Sequence, residues 1–323
     1  MIETLIKGLV LILILMGAAA YMTWCERVLM ARFQLRLGPN RVGPFGLLQP
    51  IADGIKLLCK ERFQPAHIDI LAYWLAPFIS LFTALAVFAL IPFGDPFNFF
   101  GKEISPWIFN ANAGFLLILA LSSLAVYGIV LSGWASNNRY SLLGSLRSTA
   151  QLISYEIPMS LSLLTVALLA GTLSLPAIVE AQKNYWFIWT NPLSFIIYVI
   201  TAFAETNLAP FDLPESEQEL TGGYHTEYGG IKFSMFFLAE YVNILAVSAI
   251  AVTLFLGGWH GPYDIPFVWF FLKMAAFIFL FIWVRSTMAR LRYNQLIQLG
   301  WKVLIPLAMI NLIITTFLTL VVR

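Results

Sequence analysis

The sequence predicts an all-α integral membrane protein of about eight transmembrane helices, with a further amphipathic helix lying in the membrane interface. Three observations carry this. Hydrophobic residues fill 60% of the 323 positions and charged residues only 11%, with a mean hydropathy of +0.82, a balance suited to a chain solvated mostly by lipid. Several apolar runs exceed the roughly 18 residues needed to cross a hydrocarbon core about 30 Å thick. These runs lack the short alternating pattern of barrel strands, which leaves helices to pair every backbone group inside lipid.

In chain order the spans fall at 5–30, 69–92, 111–134, 149–171, 191–207, 233–256, 266–286 and 301–321, the fifth being the shortest. Only Lys7 stands at the start of the first run, whereas Arg27, Arg32, Arg36 and Arg41 follow. That charge order marks an uncleaved helix with its N-terminus outside rather than a signal peptide. From 5 to 32 the helix would extend about 42 Å, so it tilts or projects beyond the bilayer, with Glu26 and Arg27 at its inner end. Across all spans, 14 Lys and Arg flank the loops after the odd-numbered helices, 4 lie at the termini and the other loops, and Lys273 sits within the seventh. This asymmetry puts the odd loops in the cytoplasm or matrix and both termini on the opposite side. No linker, low-complexity tract or internal repeat divides the chain, so 1–323 reads as a single integral-membrane domain. Cys25 and Cys59 fall near the reducing side, where no disulfide is expected.

The first inner loop, 27–67, is basic. Within it Leu47, Leu48, Ile51, Ile55 and Leu58 recur at steps of three and four, with Gln49, Asp53, Lys56 and Lys60 on other faces. Pro39, Gly43, Pro44 and Gly46 supply turns ahead of it. Such a helix lies in the interface rather than crossing it. Two readings fit: a basic anchor for lipid headgroups, and a lid or portal for a lipid-like ligand with Arg36 and Asp53 at its polar end.

Acids inside apolar spans are the most informative residues. Glu156 and Glu240 lie about eight residues into the fourth and sixth spans, and Glu205 near the inner end of the fifth. A charged carboxylate at mid-bilayer costs about 2.5–3.5 kcal/mol on insertion scales. The cost falls if the group is neutral for part of the time or has a partner. Each acid alone fits a static helix–helix hydrogen bond; several on separate helices fit a proton path.

The connection AETNLAPFDLPESEQELTGGYHTEY holds six of the chain's 17 carboxylates: Glu205, Asp212, Glu215, Glu217, Glu219 and Glu227. Pro210 and Pro214 interrupt any helix there, and the interleaved Phe211, Leu213 and Leu220 suit a docked segment better than a solvated tail. Residues 27–67 carry a formal net charge of +5 and residues 206–232 one of −4, on the same side of the membrane. Mutual docking, or docking of a partner, follows from that complementarity.

The sequence has no Gly-rich nucleotide fingerprint, no CxxC and no four-Cys set, and His67, His225 and His260 show no metal spacing. Neither a flavin, an iron–sulfur cluster nor a metal is therefore expected, and redox chemistry is left to a partner. A net charge of +2 offers no nucleic-acid footprint.

Three stretches in order, ERVLMARFQLRLGPNRVGPFGLLQPIADGIKL, GWASNNRYSLLGSLRSTAQLISYE and the acidic connection, together with RYNQLIQLGWK, resemble one membrane-subunit family of proton-translocating NADH:quinone oxidoreductase (respiratory complex I), the family that includes mitochondrial NADH dehydrogenase subunit 1. The resemblance covers essentially the whole chain. It implies a membrane subunit that forms a quinone access chamber, quinone being the substrate. It implies docking to the hydrophilic arm, peripheral quinone-site subunits and antiporter-like membrane subunits. By motif, Glu26, Arg27, Arg36, Asp53, Phe237 and Arg285 would line or border the quinone tunnel. Glu156, Glu205 and Glu240 would form the acidic route, and Glu215, Glu217, Glu219 and Glu227 the coupling loop. Leu208 stands where some members have arginine, removing one cation. The implied setting is the bacterial cytoplasmic membrane, with termini on the periplasmic side, rather than the mitochondrial inner membrane. The equivalent membrane component of a hydrogenase-type or ferredoxin-dependent complex remains the alternative.

Overall fold

A computed structural model describes residues 2–61, 64–99, 102–212, 222–263 and 265–322. The described residues form a bundle of helices with one short antiparallel strand pair, 97–99 against 102–104. Among the described residues, seven helices are long and apolar enough to cross a membrane, by length and composition. The fifth expected span is a 14-residue helix, Pro192–Glu205, about 21 Å long and so shorter than a hydrocarbon core about 30 Å thick.

The first helix, α1 (Ile2–Phe33), has 32 residues and is about 48 Å long, which carries Glu26 and Arg27 well past its apolar half. The turn that follows doubles back tightly: a Cβ on Gly46, at φ 74°, would come within 2.1 Å of the Pro39 carbonyl oxygen, so only glycine fits there. It leads into the expected amphipathic helix, α2 (Gln49–Cys59), which packs on α1 yet buries none of its residues. Ile51, Ile55 and Leu58 are exposed.

Next come α3 (Ile70–Phe88), capped by the Asp69 carboxylate on the Leu71 and Ala72 N–H groups, and α4 (Gly114–Ala135), packed against it. At Gly128 an added Cβ would lie 2.1 Å from Ser80 Oγ, which shows how closely these two backbones approach. The fourth span begins at Arg139 rather than 149: α5 (Arg139–Ala170) is capped by Asn138 and ends at Gly171 with φ 69°. Its first turns are polar, and for that reason they read as loop. Inside the fold those groups are buried and bonded, Ser148 Oγ donating within the helix to the Gly144 carbonyl and Ser141 Oγ across to that of Tyr224.

Two short helices, α6 (Leu175–Ala181) and α7 (Phe187–Thr190), precede α8 (Pro192–Glu205), whose start is capped by Asn191. The most buried of the seven long apolar helices is α9 (Ile231–Phe255), apolar over most of its circumference as a central helix must be. It touches α1, α2, α3, α5 and α8, and also α10 (Pro266–Thr287). A short α11 (Tyr293–Gln298) runs through a π-helical turn, Leu299–Leu304, into α12 (Ile305–Val322). The last span accordingly begins before 301.

Candidate functional site

Glu26 is only 4% exposed near the C-terminal end of α1. One carboxylate oxygen pairs with Arg285 Nη1 at 2.5 Å, and the other accepts the Tyr241 hydroxyl at 2.6 Å. Arg285 lies in the last turn of α10, where the helix dipole favours a cation. A buried ion pair is tolerated when its remaining lone pairs are also bonded, and Tyr241 supplies that bond. Phe237, one turn before Tyr241 on α9, meets its ring edge-on at 4.9 Å and continues to Phe233 at 5.9 Å. Leu208, 3% exposed, packs around the pair with Met22, Ile244 and Phe281. An arginine at 208 would bring a second cation to this place.

The expected tunnel residues divide. Glu26, Phe237 and Arg285 come together. Arg27 faces the other way and pairs with Asp53 of α2 at 2.6 Å, Gln49 bracing the second carboxylate oxygen at 2.9 Å. Both members of that pair are partly exposed, so it positions α2 against α1 more than it stabilises the fold. Arg36 lies exposed on the turn after α1 and joins neither group. Tyr241 was not singled out from the sequence. Its signal was present in AEYVN: a hydroxyl on an apolar helix needs a buried partner.

A second site lies between α3, α4, α5, α8 and α9. Glu156, Glu205 and Glu240, from three different helices, line one cavity of about 80 Å³. A water needs roughly 10–15 Å³ of such space, so the cavity has room for several. Ser123 donates to the Glu156 carboxylate. Tyr198, also in the lining, donates to the Val247 carbonyl at 2.8 Å. Oε2 of Glu205 is buried with no hydrogen-bond partner among the described residues. Ser80, Thr83, Asn207 and Asn243 add further polar groups. Carboxylates, hydroxyls and water in one enclosure can pass protons by exchange along hydrogen bonds.

The acidic connection is only partly described. Glu215, Glu217 and Glu219 lie outside the described residues. Glu227 accepts from Asn138 Nδ2 at 2.6 Å, and its carbonyl accepts the Tyr73 hydroxyl at 2.6 Å. Tyr73 stacks on Tyr228 at 4.2 Å, and Lys232 Nζ sits 3.9 Å over the Trp74 ring. Gly230 meets the basic loop, since an added Cβ would lie 3.6 Å from the Leu57 and Lys60 carbonyls. Asp212 pairs instead with Arg290, at 2.7 Å. Burial pushes its pKa up, against the opposing pull of Arg290 and Arg285. Burial holds His225 down to about 4.

Residues 6–316 match the family described as NADH dehydrogenase. The chain is 70% identical over 304 residues to the H subunit of NADH-quinone oxidoreductase from Protochlamydia amoebophila, covering 94% of each. It is 53% identical over 311 residues to the H 1 subunit from Geobacter metallireducens, covering 96% of this chain and 94% of that one. It is also 53% identical over 313 residues to NADH-quinone oxidoreductase subunit 8 of Thermus thermophilus, covering 96% and 85%.

Proposed function

The chain belongs to the NADH dehydrogenase family, among the H subunits of NADH-quinone oxidoreductase, and from that premise we propose that it forms the quinone access chamber and couples quinone reduction to proton translocation through its buried glutamates. It is a multi-pass membrane subunit of an oxidoreductase complex. On the proposed reading the inner loops face the cytoplasm and both termini the periplasm, and the chain is a single integral-membrane unit. The hydrophilic arm, peripheral quinone-site subunits and antiporter-like membrane subunits are its partners.

The observation that carries this reading is the convergence of Glu156, Glu205 and Glu240 on one cavity, alongside the Glu26–Arg285–Tyr241 cluster on an adjoining face of α9. Quinone reduction consumes two electrons and two protons. The chain's own part is to guide an apolar tail, hold the headgroup path and handle charge. A change of charge near Glu26 alters the field at the buried acids and hence their proton occupancy. Moving each proton against 100 mV costs about 2.3 kcal/mol, so proton uptake must be tied to the redox step.

The test is Glu156→Gln and Glu240→Gln in the assembled complex, sealed in vesicles. The expected result is normal assembly with impaired NADH-driven quinone reduction or a lower proton yield per NADH. Wild-type rates and yields in both variants would remove these acids from the mechanism.

A further inference from the structure

Lys273, in the first half of α10, belongs to neither acidic site and is only 7% exposed. A buried cation inside an apolar span has to be met by acceptors. Its Nζ donates to the carbonyls of Leu256, Gly258 and His260, at 2.6, 3.0 and 2.6 Å, which uses all three ammonium donors. These carbonyls close the C-terminal end of α9, where the helix dipole also favours a cation. Gln182, fully buried just after α6, holds the same end. Its Nε2 donates to the Thr253 carbonyl at 2.9 Å, and its Oε1 accepts the Gly257 N–H at 3.0 Å. The Trp186 ring lies 4.4 Å from Lys273 Nζ and against Gly257, where an added Cβ would come within 2.8 Å of the indole. Two side chains from separate segments thus fasten five backbone groups at one helix end.

Such a fastening meets a need that α9 itself creates. The helix is buried and apolar over most of its circumference, and hydrophobic contact is non-directional, so burial sets its angle about its own axis only loosely. Its Ser248 and Thr253 hydroxyls turn back on carbonyls of the same helix and fix no neighbour. The angle nevertheless matters, because Glu240 has to face the acid cavity while Tyr241 meets Glu26. The Tyr241 bond holds that angle only while Glu26 accepts it, whereas the clasp at the C-terminal end holds it whatever the charge near Glu26. We infer that Lys273 and Gln182 are positioning residues for proton coupling, setting the angular register of α9. They act from about 22 Å away, the rise from Tyr241 to Leu256, and neither lines the acid cavity. Their role rests on the proposed reading in which Glu240 handles protons.

The experiment compares Lys273→Met, Gln182→Leu and Glu240→Gln in the assembled complex, sealed in vesicles whose passive proton leak is measured before NADH is added. Lys273→Met and Gln182→Leu should keep the rate of NADH-driven quinone reduction and the KM for quinone, while the proton yield per NADH falls. Gln182→Leu carries the test if Lys273→Met does not assemble. Either variant combined with Tyr241→Phe should lose more of the yield than the product of the separate effects, although residues this far apart ordinarily act independently. Slower quinone reduction at an unchanged yield per NADH would mark a merely structural role and overturn the proposal, as would independent effects in the combined variants. Wild-type yields in Lys273→Met and Gln182→Leu beside a lowered yield in Glu240→Gln would overturn it and leave the proton reading standing. Wild-type yields in all three would overturn that reading and this role with it.

Discussion

At the scale of single residues, Glu26 draws the clearest expectation. Removing one partner of a buried ion pair strands the other, at a cost of about 3–5 kcal/mol for a fully buried pair. Arg285 is 28% exposed, so Arg285→Met should cost less than that, and Glu26→Gln combined with it should restore part of the loss. Thermal melting of the assembled complex reads both. His225 gives a second expectation, set by pH. Its pKa is lowered by burial from 6.5 to about 4, so the unfolded chain binds more protons between those values. The contribution is complete above pH 6.5 and is lost as pH falls toward 4. Protection factors across 222–230, taken against the intrinsic exchange rate at each pH, should fall in that window, and His225→Leu should flatten the dependence. The sequence made Glu26 legible because an acid beside an apolar run is conspicuous. It did not show which of 19 basic residues would pair with it, because Arg285 comes from the far end of the chain.

At the scale of elements, α5 shows where polarity misleads. Its first turns look like loop because Ser141, Ser145, Ser148 and Gln151 are counted as solvent-facing, yet all are buried. Carbonyls satisfy them: Gln151 Nε2 donates to those of Ala204 and Phe211, at 3.0 and 2.9 Å. Hydropathy counts residues and cannot see such partners. The same stretch holds Gly144, where an added Cβ would lie 2.8 Å from Gly223 Cα. Gly144→Ala gains helix propensity but presses on backbone, and overpacking of this kind costs about 1–3 kcal/mol. A lower melting temperature, with faster exchange in 222–230, is the expected outcome. The amphipathic α2, by contrast, was fully legible, because its apolar face is set by local spacing alone.

At the scale of the whole molecule, the positions of the three buried acids were plain in the sequence and their convergence was not. Spacing within one helix says nothing of which helices adjoin, and Glu156, Glu205 and Glu240 meet only because α5, α8 and α9 pack around one cavity. Residues that share an enclosure couple, and their substitutions do not add. Glu156→Gln and Glu240→Gln should therefore lower the proton yield together by less than the product of their separate effects, measured as protons per NADH in sealed vesicles. The central helix adds a geometric consequence. Glu240 lines the acid cavity while its neighbour Tyr241 holds Glu26, and successive residues on an α-helix point about 100° apart. A turn of α9 about its own axis that draws the tyrosine hydroxyl from Glu26 must also swing Glu240 against its surroundings. The two sites are thus geared to one shaft, and neither can be displaced by rotation without registering in the other.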